Sequence, residues 1–190
     1  NLLDAVENGD NLSPTEKRFH NVNAKRDFAI MSLFLGTGIR ISELVGLDKK
    51  DIDFSQNAFT ITRKGGSRVI LYFSNEVKSA LLDYLDVRNT KVDENEQAFF
   101  LSMQNKRITT RAVEKLVKKY CSGVTPLKHI TPHKLRSTYG TNLYRETGDI
   151  YVVASVLGHK DVNTTKKYYA QISDDIRRNA STKVKLRDKK

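Results

Sequence analysis

Apolar residues recur at the three- and four-residue spacing of amphipathic helices in most parts of the chain. This spacing predicts seven helices: Asn1–Asp10, Ala24–Leu35, Ile41–Leu47, Glu76–Val87, Thr110–Cys121, Pro132–Tyr144 and Ile150–Leu157. Inward-facing residues of the fourth are expected to be Val77, Leu81, Leu82 and Leu85. Gly36 and Gly38 are expected to end the second helix, Gly148 the sixth and Gly158 the seventh.

Two further segments, near the start and the end of the chain, are less regular in their pattern of apolar residues. Asn11–Asn23 is polar and contains Ser13-Pro14, which predicts a loop or a short turn of helix. Asn163 or Thr164 is a suitable N-cap for a last helix that carries Tyr168.

Short strands are predicted where apolar or β-branched residues alternate with polar ones. Ala58–Thr62 and Arg68–Phe73 alternate in this way, and the turn sequence Lys-Gly-Gly-Ser between them predicts a β-hairpin. Asp51–Phe54 is a candidate third strand and Ala98–Leu101 a further brief one, while Arg88–Gln97 is predicted to be a charged loop. The predicted fold class is mainly α with a small antiparallel β-sheet (α+β).

Composition narrows the class of protein. A chain of 190 residues with 38% hydrophobic residues fits one globular domain, or one domain with a short appendage. No apolar run approaches the roughly 18 residues of a membrane span, and no signal-peptide pattern is present. The single cysteine, Cys121, is predicted to be a small buried hydrophobic residue rather than a catalytic thiol. Because the first residue is not Met, we expect the sequence to be a fragment of a longer protein.

Charge indicates the kind of partner. Lys and Arg number 33 against 22 Asp and Glu, which gives a net charge of +11. A surplus of this size favours a polyanion such as DNA or RNA, because cations that neutralise phosphates release condensed counterions. Charge alone does not separate a nucleic-acid-binding protein from an enzyme.

Two pairs of residues have spacings suited to phosphate chemistry. His133 and Arg136 lie three residues apart on one predicted helix face, so an imidazole and a guanidinium can face the same phosphate. Arg40 and Glu43 have the same spacing directly after Gly38, so the carboxylate can hold the guanidinium in place. Taken alone, the first pair also fits an ordinary surface helix, and the second fits a glycine-kinked loop with a surface ion pair.

Three further residues are candidates on weaker grounds. Lys64 lies in the predicted hairpin turn, where a flexible amine can donate a proton to a leaving oxygen. Tyr168 is a candidate nucleophile, and His159 precedes it by nine residues.

His129 and His133 are four residues apart, but Pro132 lies between them and no Cys or carboxylate completes a set, so no metal site is predicted.

In this order the motifs resemble those of the tyrosine recombinase/integrase family, which includes phage integrases and Xer-like enzymes. Gly-Ile-Arg40-Ile-Ser-Glu43-Leu is similar to the first active-site arginine with its supporting glutamate. Thr-Pro-His133-Lys-Leu-Arg136 is similar to the His-x-x-Arg box, and Leu-Gly-His159 followed by Thr-Thr-x-x-Tyr168 to the final motif. Lys64 corresponds to the hairpin lysine. The resemblance covers about residues 24–172.

The resemblance implies the fold of the recombinase catalytic domain and its chemistry. Tyr168 would attack the scissile phosphate, Arg40 and Arg136 would hold its non-bridging oxygens, and Lys64 would protonate the leaving 5′-oxygen. His133 would assist proton transfer and His159 would hydrogen-bond the phosphate. No cofactor, metal or ATP is implied. Tyr169 remains the alternative nucleophile, because it directly follows Tyr168.

The family also implies organisation and partners. Residues 1–172 would be the catalytic domain without its N-terminal core-binding domain, and 173–190 a basic tail that either packs on a neighbouring subunit or binds DNA non-specifically. The implied partner is double-stranded DNA, bound by a homo-tetramer on paired sites, in the cytoplasm of a bacterium or encoded by a phage or other mobile element. The alternatives are a type IB topoisomerase, an inactive DNA-binding relative and a basic helical interaction domain.

Overall fold

The computed structural model describes residues 1–159 and Asn163. It divides into a first compact unit, Asn1–Arg136, and a second that begins at Ser137. The described helices are α1 (Leu2–Asn8), α2 (Pro14–Thr37), α3 (Ile41–Val45), α4 (Asn75–Asn89), α5 (Thr110–Val124), α6 (Pro132–Thr147) and α7 (Ile150–Leu157). The strands are β1 (Ile52–Asp53), β2 (Ala58–Thr62) and β3 (Arg68–Tyr72). The predicted class, mainly α with a small antiparallel sheet, is confirmed.

The prediction of a loop or a short turn of helix over Asn11–Asn23 is wrong, because the 24-residue helix α2 begins at Pro14. A capping box starts the helix: the Ser13 hydroxyl accepts the backbone N–H of Glu16 at 3.3 Å, and the Glu16 carboxylate accepts the N–H of Ser13 at 2.9 Å. His20 and Asn23 are polar by type yet buried in the structure. Their burial is a property of tertiary packing, and hydrophobic spacing does not report it.

The two glycines after the predicted helix have different roles. Gly36 lies inside α2, where a Cβ atom would come within 2.7 Å of Val77 Cγ2, so the predicted break there is wrong and α2 and α4 pack closely instead. Gly38 ends α2 in the left-handed conformation, with φ 64°. The chain then turns directly into α3, which ends at Val45, two residues before the predicted end.

The β-hairpin is confirmed. β2 lies between β1 and β3, and both pairings are antiparallel, with Phe59 opposite Leu71 and Ile61 opposite Val69. Phe59, Ile61 and Leu71 are buried on one face. The predicted third strand is present as β1, although it has only two residues.

The helix after the sheet departs from its predicted boundary. α4 continues to Asn89, so Arg88 lies in the helix rather than in a charged loop. The Arg88 guanidinium is completely buried and donates to the backbone carbonyls of Glu96, Ala98 and Phe99. Leu82, predicted to face inward, is 36% exposed. Ala98–Leu101 forms only isolated β-bridges at its two ends.

The remaining helices agree closely with the predicted pattern. α5 buries Val113, Leu116 and Val117. In the second unit, Tyr144, Val153 and Leu157 form the centre of an apolar cluster with Tyr139, Leu143 and Ile150 against it. α7 has the predicted bounds, between the N-cap Asp149 and Gly158. None of the helices described within residues 1–159 combines the length and the hydropathy that a membrane-spanning segment requires.

Two predictions lie beyond these residues. The last helix, with Tyr168, is outside the described part apart from Asn163. The domain boundary between residues 172 and 173 is also outside it, so the division into catalytic domain and basic tail stays a prediction.

Candidate active site

Arg40 and Glu43 are positioned by the turn between α2 and α3. Arg40 is the N-cap of α3, and the Glu43 carboxylate in the first turn accepts the Arg40 backbone N–H at 3.0 Å through Oε2. Its other oxygen, Oε1, is enclosed and lies 3.8 Å from the Arg40 guanidinium. The Glu43 side chain is 4% exposed and that of Arg40 is 37% exposed. The predicted pairing is therefore present, and Glu43 holds both ends of Arg40.

A second guanidinium, which the sequence analysis missed, shares Glu43. Arg63 Nε lies 3.6 Å from Glu43 Oε1, and the Arg63 side chain is only 11% exposed. Burial lowers the pKa of Arg63 from its usual value, while the Glu43 carboxylate opposes that shift. The sequence alternation along β2 could have indicated this burial. Phe59 and Ile61 are buried, and Arg63, two residues further and just after the strand, points to the same side.

Arg136 joins this part of the first unit through the start of α6. Thr131 caps that helix, with its hydroxyl accepting the Lys134 N–H at 3.2 Å. Arg136 is buried, 7% exposed, and its Nη1 donates to the backbone carbonyl of Gly38, two residues before Arg40. The two arginines that the sequence placed 96 positions apart are thus neighbours in the fold.

His133 and Lys64 are exposed, unlike the largely buried Arg63 and Arg136. His133 lies in the first turn of α6, one turn before Arg136. Lys64 follows β2 in the hairpin turn, where Gly65 and Gly66 have φ of 91° and 81°. The turn is closed by backbone bonds from Arg63 N to Ser67 O at 2.8 Å and from Gly66 N to Arg63 O at 3.0 Å. Both residues are accessible to a bound substrate.

The remaining two candidates are in the second unit. His159 follows the C-cap of α7, is partly buried, and its backbone N–H donates to Ala154 O at 3.0 Å. Tyr168 lies outside the described residues, as does its alternative Tyr169. The structure therefore places Arg40, Glu43, Lys64, His133 and Arg136 in the first unit and His159 in the second.

The electrostatics of the first unit suit an anion. The guanidinium groups of Arg40 and Arg63 face the single carboxylate of Glu43, and that of Arg136 donates to the backbone carbonyl of Gly38. This excess of positive charge, partly removed from water, stabilises negative charge that develops on phosphate oxygens. Among residues 1–159 and Asn163, no group of three His, Cys, Asp or Glu residues is arranged to hold a metal ion. Burial raises the pKa of the Cys121 thiol to about 11, as expected for an inert core residue.

Comparison with known proteins identifies the family. The sequence model of the phage integrase family matches residues 5–175. The chain belongs to the phage integrase family. Tyrosine recombinase XerS of Streptococcus agalactiae is 38% identical over 178 residues, which are 91% of this chain and 49% of the relative. The chain thus spans about half of the length of this relative.

Solved structures agree with this family assignment. The crystal structure of XerA recombinase has a TM-score of 0.74 and 30% identity, and the match covers 93% of this chain and 65% of that one. The crystal structure of XerH recombinase bound to its palindromic difH substrate has a TM-score of 0.76 at 19% identity, covering 95% of this chain and 50% of that one. The predicted tyrosine recombinase family and catalytic-domain fold are both confirmed.

Proposed function

We propose that this member of the phage integrase family is the catalytic domain of a site-specific DNA recombinase. The observation that carries the proposal is the contact of buried Arg136 with the Gly38 carbonyl, which brings its guanidinium beside the segment of Arg40. Two arginines converging from separate helices fit the two non-bridging oxygens of one phosphate. The identity to XerS, which is a tyrosine recombinase, supports the same function.

The proposed reaction is a transesterification at phosphorus. The Tyr168 oxygen forms a bond to the scissile phosphate, and the bond from phosphorus to the 5′-oxygen breaks. The phenolic proton passes towards His133, and Lys64 donates a proton to the leaving 5′-oxygen. Arg40 and Arg136 stabilise the negative charge on the non-bridging oxygens, while His159 hydrogen-bonds the phosphate.

The product is a 3′-phosphotyrosyl link and a 5′-hydroxyl strand end. Attack of a 5′-hydroxyl on the phosphotyrosyl bond reverses the step and rejoins DNA, with the same groups acting in the opposite direction. One phosphodiester is exchanged for another, so we propose that the reaction uses neither ATP nor a metal ion. Lys64 suits its role because an exposed amine beside two glycines can follow a substrate phosphate.

The proposed partner is double-stranded DNA, in keeping with the net charge of +11. XerH, which shares the fold, is bound to a DNA substrate in its crystal structure. We further propose a homo-tetramer on paired DNA sites in the whole protein, action in the bacterial cytoplasm, and a C-terminal tail that packs on a neighbour or binds DNA.

The proposal is tested by trapping the covalent intermediate. The full-length protein is incubated with a pool of duplexes that have randomised arms and a nick at varied positions, so that the short cleaved strand diffuses away and religation stops. We expect a protein–DNA adduct that survives SDS and forms equally well in EDTA without nucleotide. Sequencing the trapped duplexes then gives the preferred site.

Two results would argue against this function. If no adduct forms with any duplex of the pool, the protein is not a tyrosine recombinase in the proposed sense. If adduct formation requires a divalent cation or ATP, the metal-independent transesterification is wrong. A gel-shift assay on the same pool distinguishes a DNA-binding relative without cleavage activity from a protein that does not bind DNA.

A further inference from the structure

Arg63 occupies a position that links two parts of the proposed site. Its side chain contacts Glu43 Oε1 at 3.6 Å, and the same oxygen lies 3.8 Å from the Arg40 guanidinium. Glu43 Oε2 holds the Arg40 backbone at 3.0 Å. The orientation of this carboxylate therefore affects Arg40 at both its backbone and its side chain.

The burial of Arg63 shows that the contact is built into the fold. With 11% exposure against 4% for Glu43, the pair is largely removed from water, so its attraction is less screened than that of a surface ion pair. Arg68, on the same hairpin, provides a contrast. Its side chain is 68% exposed and 3.8 Å from Asp51, as in an ordinary surface pair.

The backbone of Arg63 also belongs to the turn that carries Lys64. Its N–H donates to Ser67 O, and its carbonyl accepts from Gly66 N. Arg63 thus fixes the base of the hairpin turn with its backbone and contacts the α3 carboxylate with its side chain. Glu43 is therefore connected to the hairpin through Arg63, in addition to its contact with Arg40 at the start of α3.

We propose that Arg63 is a positioning residue, which holds the Glu43 carboxylate so that Arg40 meets the scissile phosphate in the correct orientation. This inference rests on the proposed recombinase function. Arg63 acts through Glu43 and does not contact the reacting atoms. A displaced guanidinium makes a weaker contact with the transition state, whereas the ground-state attraction to DNA, which depends on total charge, changes little.

The first test compares Arg63→Ala and Arg63→Gln with the matched control Arg68→Ala. We expect the two Arg63 variants to lower the first-order cleavage rate at saturating DNA by about 10- to 100-fold, as removal of a supporting contact at an active site does. Affinity for DNA should remain within about threefold. Arg68→Ala, which removes the same charge from the hairpin, should cleave at nearly the wild-type rate. The glutamine variant and circular dichroism control for folding.

A double-mutant cycle tests the route through Glu43. If Arg63 acts through this carboxylate, adding Arg63→Ala to Glu43→Gln should slow cleavage by less than about threefold, because the shared interaction is already lost. Equal fold-losses in both backgrounds would contradict the inference, since an independent structural defect gives additive effects.

A duplex with a sulfur atom at the cleavage site tests whether Arg63→Ala slows cleavage through Arg40 or through Lys64. A duplex with sulfur at the 5′-bridging position has a thiolate leaving group, which needs no proton because a thiol has a pKa of about 8.5. This duplex should restore cleavage by Lys64→Ala but not by Arg63→Ala. Restoration in Arg63→Ala would overturn the proposed route.

The outcomes for the two proposals differ. Wild-type cleavage with unimpaired Arg63 variants refutes the positioning role and leaves the recombinase function intact. Absence of cleavage by the wild-type protein refutes both.

Discussion

Replacing Arg136 with alanine is expected to slow DNA cleavage by about 10²–10³-fold, the loss measured when one preorganised donor to a developing oxyanion is removed. The guanidinium is buried beside the Arg40 segment and donates to Gly38 O, so its position is fixed before DNA binds. The measurement is the rate of covalent adduct formation on a nicked duplex at saturating protein.

The charge of Arg136 and the planar geometry of its guanidinium contribute separately to the cleavage rate. Arg136→Lys keeps the positive charge but loses the planar pair of donors, so it should remain slower than the wild type by at least about tenfold. Binding should change only modestly in both variants, with a salt slope lower by about 1 in the alanine variant. Arg18→Ala, an exposed position on α2, is the charge-matched control. Equal losses of binding and cleavage would contradict a role in the transition state.

Replacing Asp27 with alanine is expected to lower the free energy of unfolding by about 3–5 kcal/mol. The Asp27 carboxylate is fully buried between α2 and α5. It accepts from Arg26 at 2.8 and 3.0 Å, from Lys119 at 3.1 Å and from the Tyr120 hydroxyl at 2.8 Å. Its removal leaves two largely buried cations without their carboxylate.

The same network fixes a histidine. The Tyr120 hydroxyl gives its one hydrogen to Asp27, and burial raises the pKa of this phenol, so it remains a donor at neutral pH. His20 Nδ1, 2.9 Å from the hydroxyl oxygen, must then donate to it. His20 is thus held between α1 and α5, since a Cβ atom on Gly9 would come within 2.7 Å of its ring.

Urea unfolding followed by circular dichroism measures the effect of Asp27→Ala. A loss of this size lowers the urea concentration at the unfolding midpoint by roughly 1–5 M. Asp83→Ala, on the exposed face of α4, should change stability by less than about 0.5 kcal/mol. If the two variants unfold at the same urea concentration, the buried network does not stabilise the fold as proposed.

This network also explains which part of the fold could not be predicted from the sequence. α7 was predicted to the residue, because an apolar run stands between a capping Asp and a glycine. The first half of α2 was missed because its buried residues, His20 and Asn23, are polar. His20 is hydrogen-bonded to Tyr120 on α5, 100 positions away, and Asn23 donates to the backbone carbonyl of Phe19 one turn before it. Periodicity describes apolar burial only.

In the candidate site, too, local contacts could be predicted from the sequence and distant ones could not. The pairing of Arg40 with Glu43 is local, and helical spacing predicted it. Arg63 lies 20 positions from Glu43, but its place in the buried register of β2 was visible in the alternation of the strand. The approach of Arg136 to Gly38 spans 98 positions, and only the order of family motifs indicated it.

We propose that Tyr168 forms the covalent bond to DNA. The most direct measurement compares adduct formation by Tyr168→Phe and Tyr169→Phe on the trapped duplex, with fragmentation of the wild-type tryptic peptide 168–177 to locate the phosphate. Phenylalanine keeps the ring but removes the attacking oxygen. We expect no adduct with Tyr168→Phe, an adduct with Tyr169→Phe, and the phosphate on Tyr168. An adduct that persists in Tyr168→Phe and disappears in Tyr169→Phe would contradict the assignment of Tyr168 as the nucleophile.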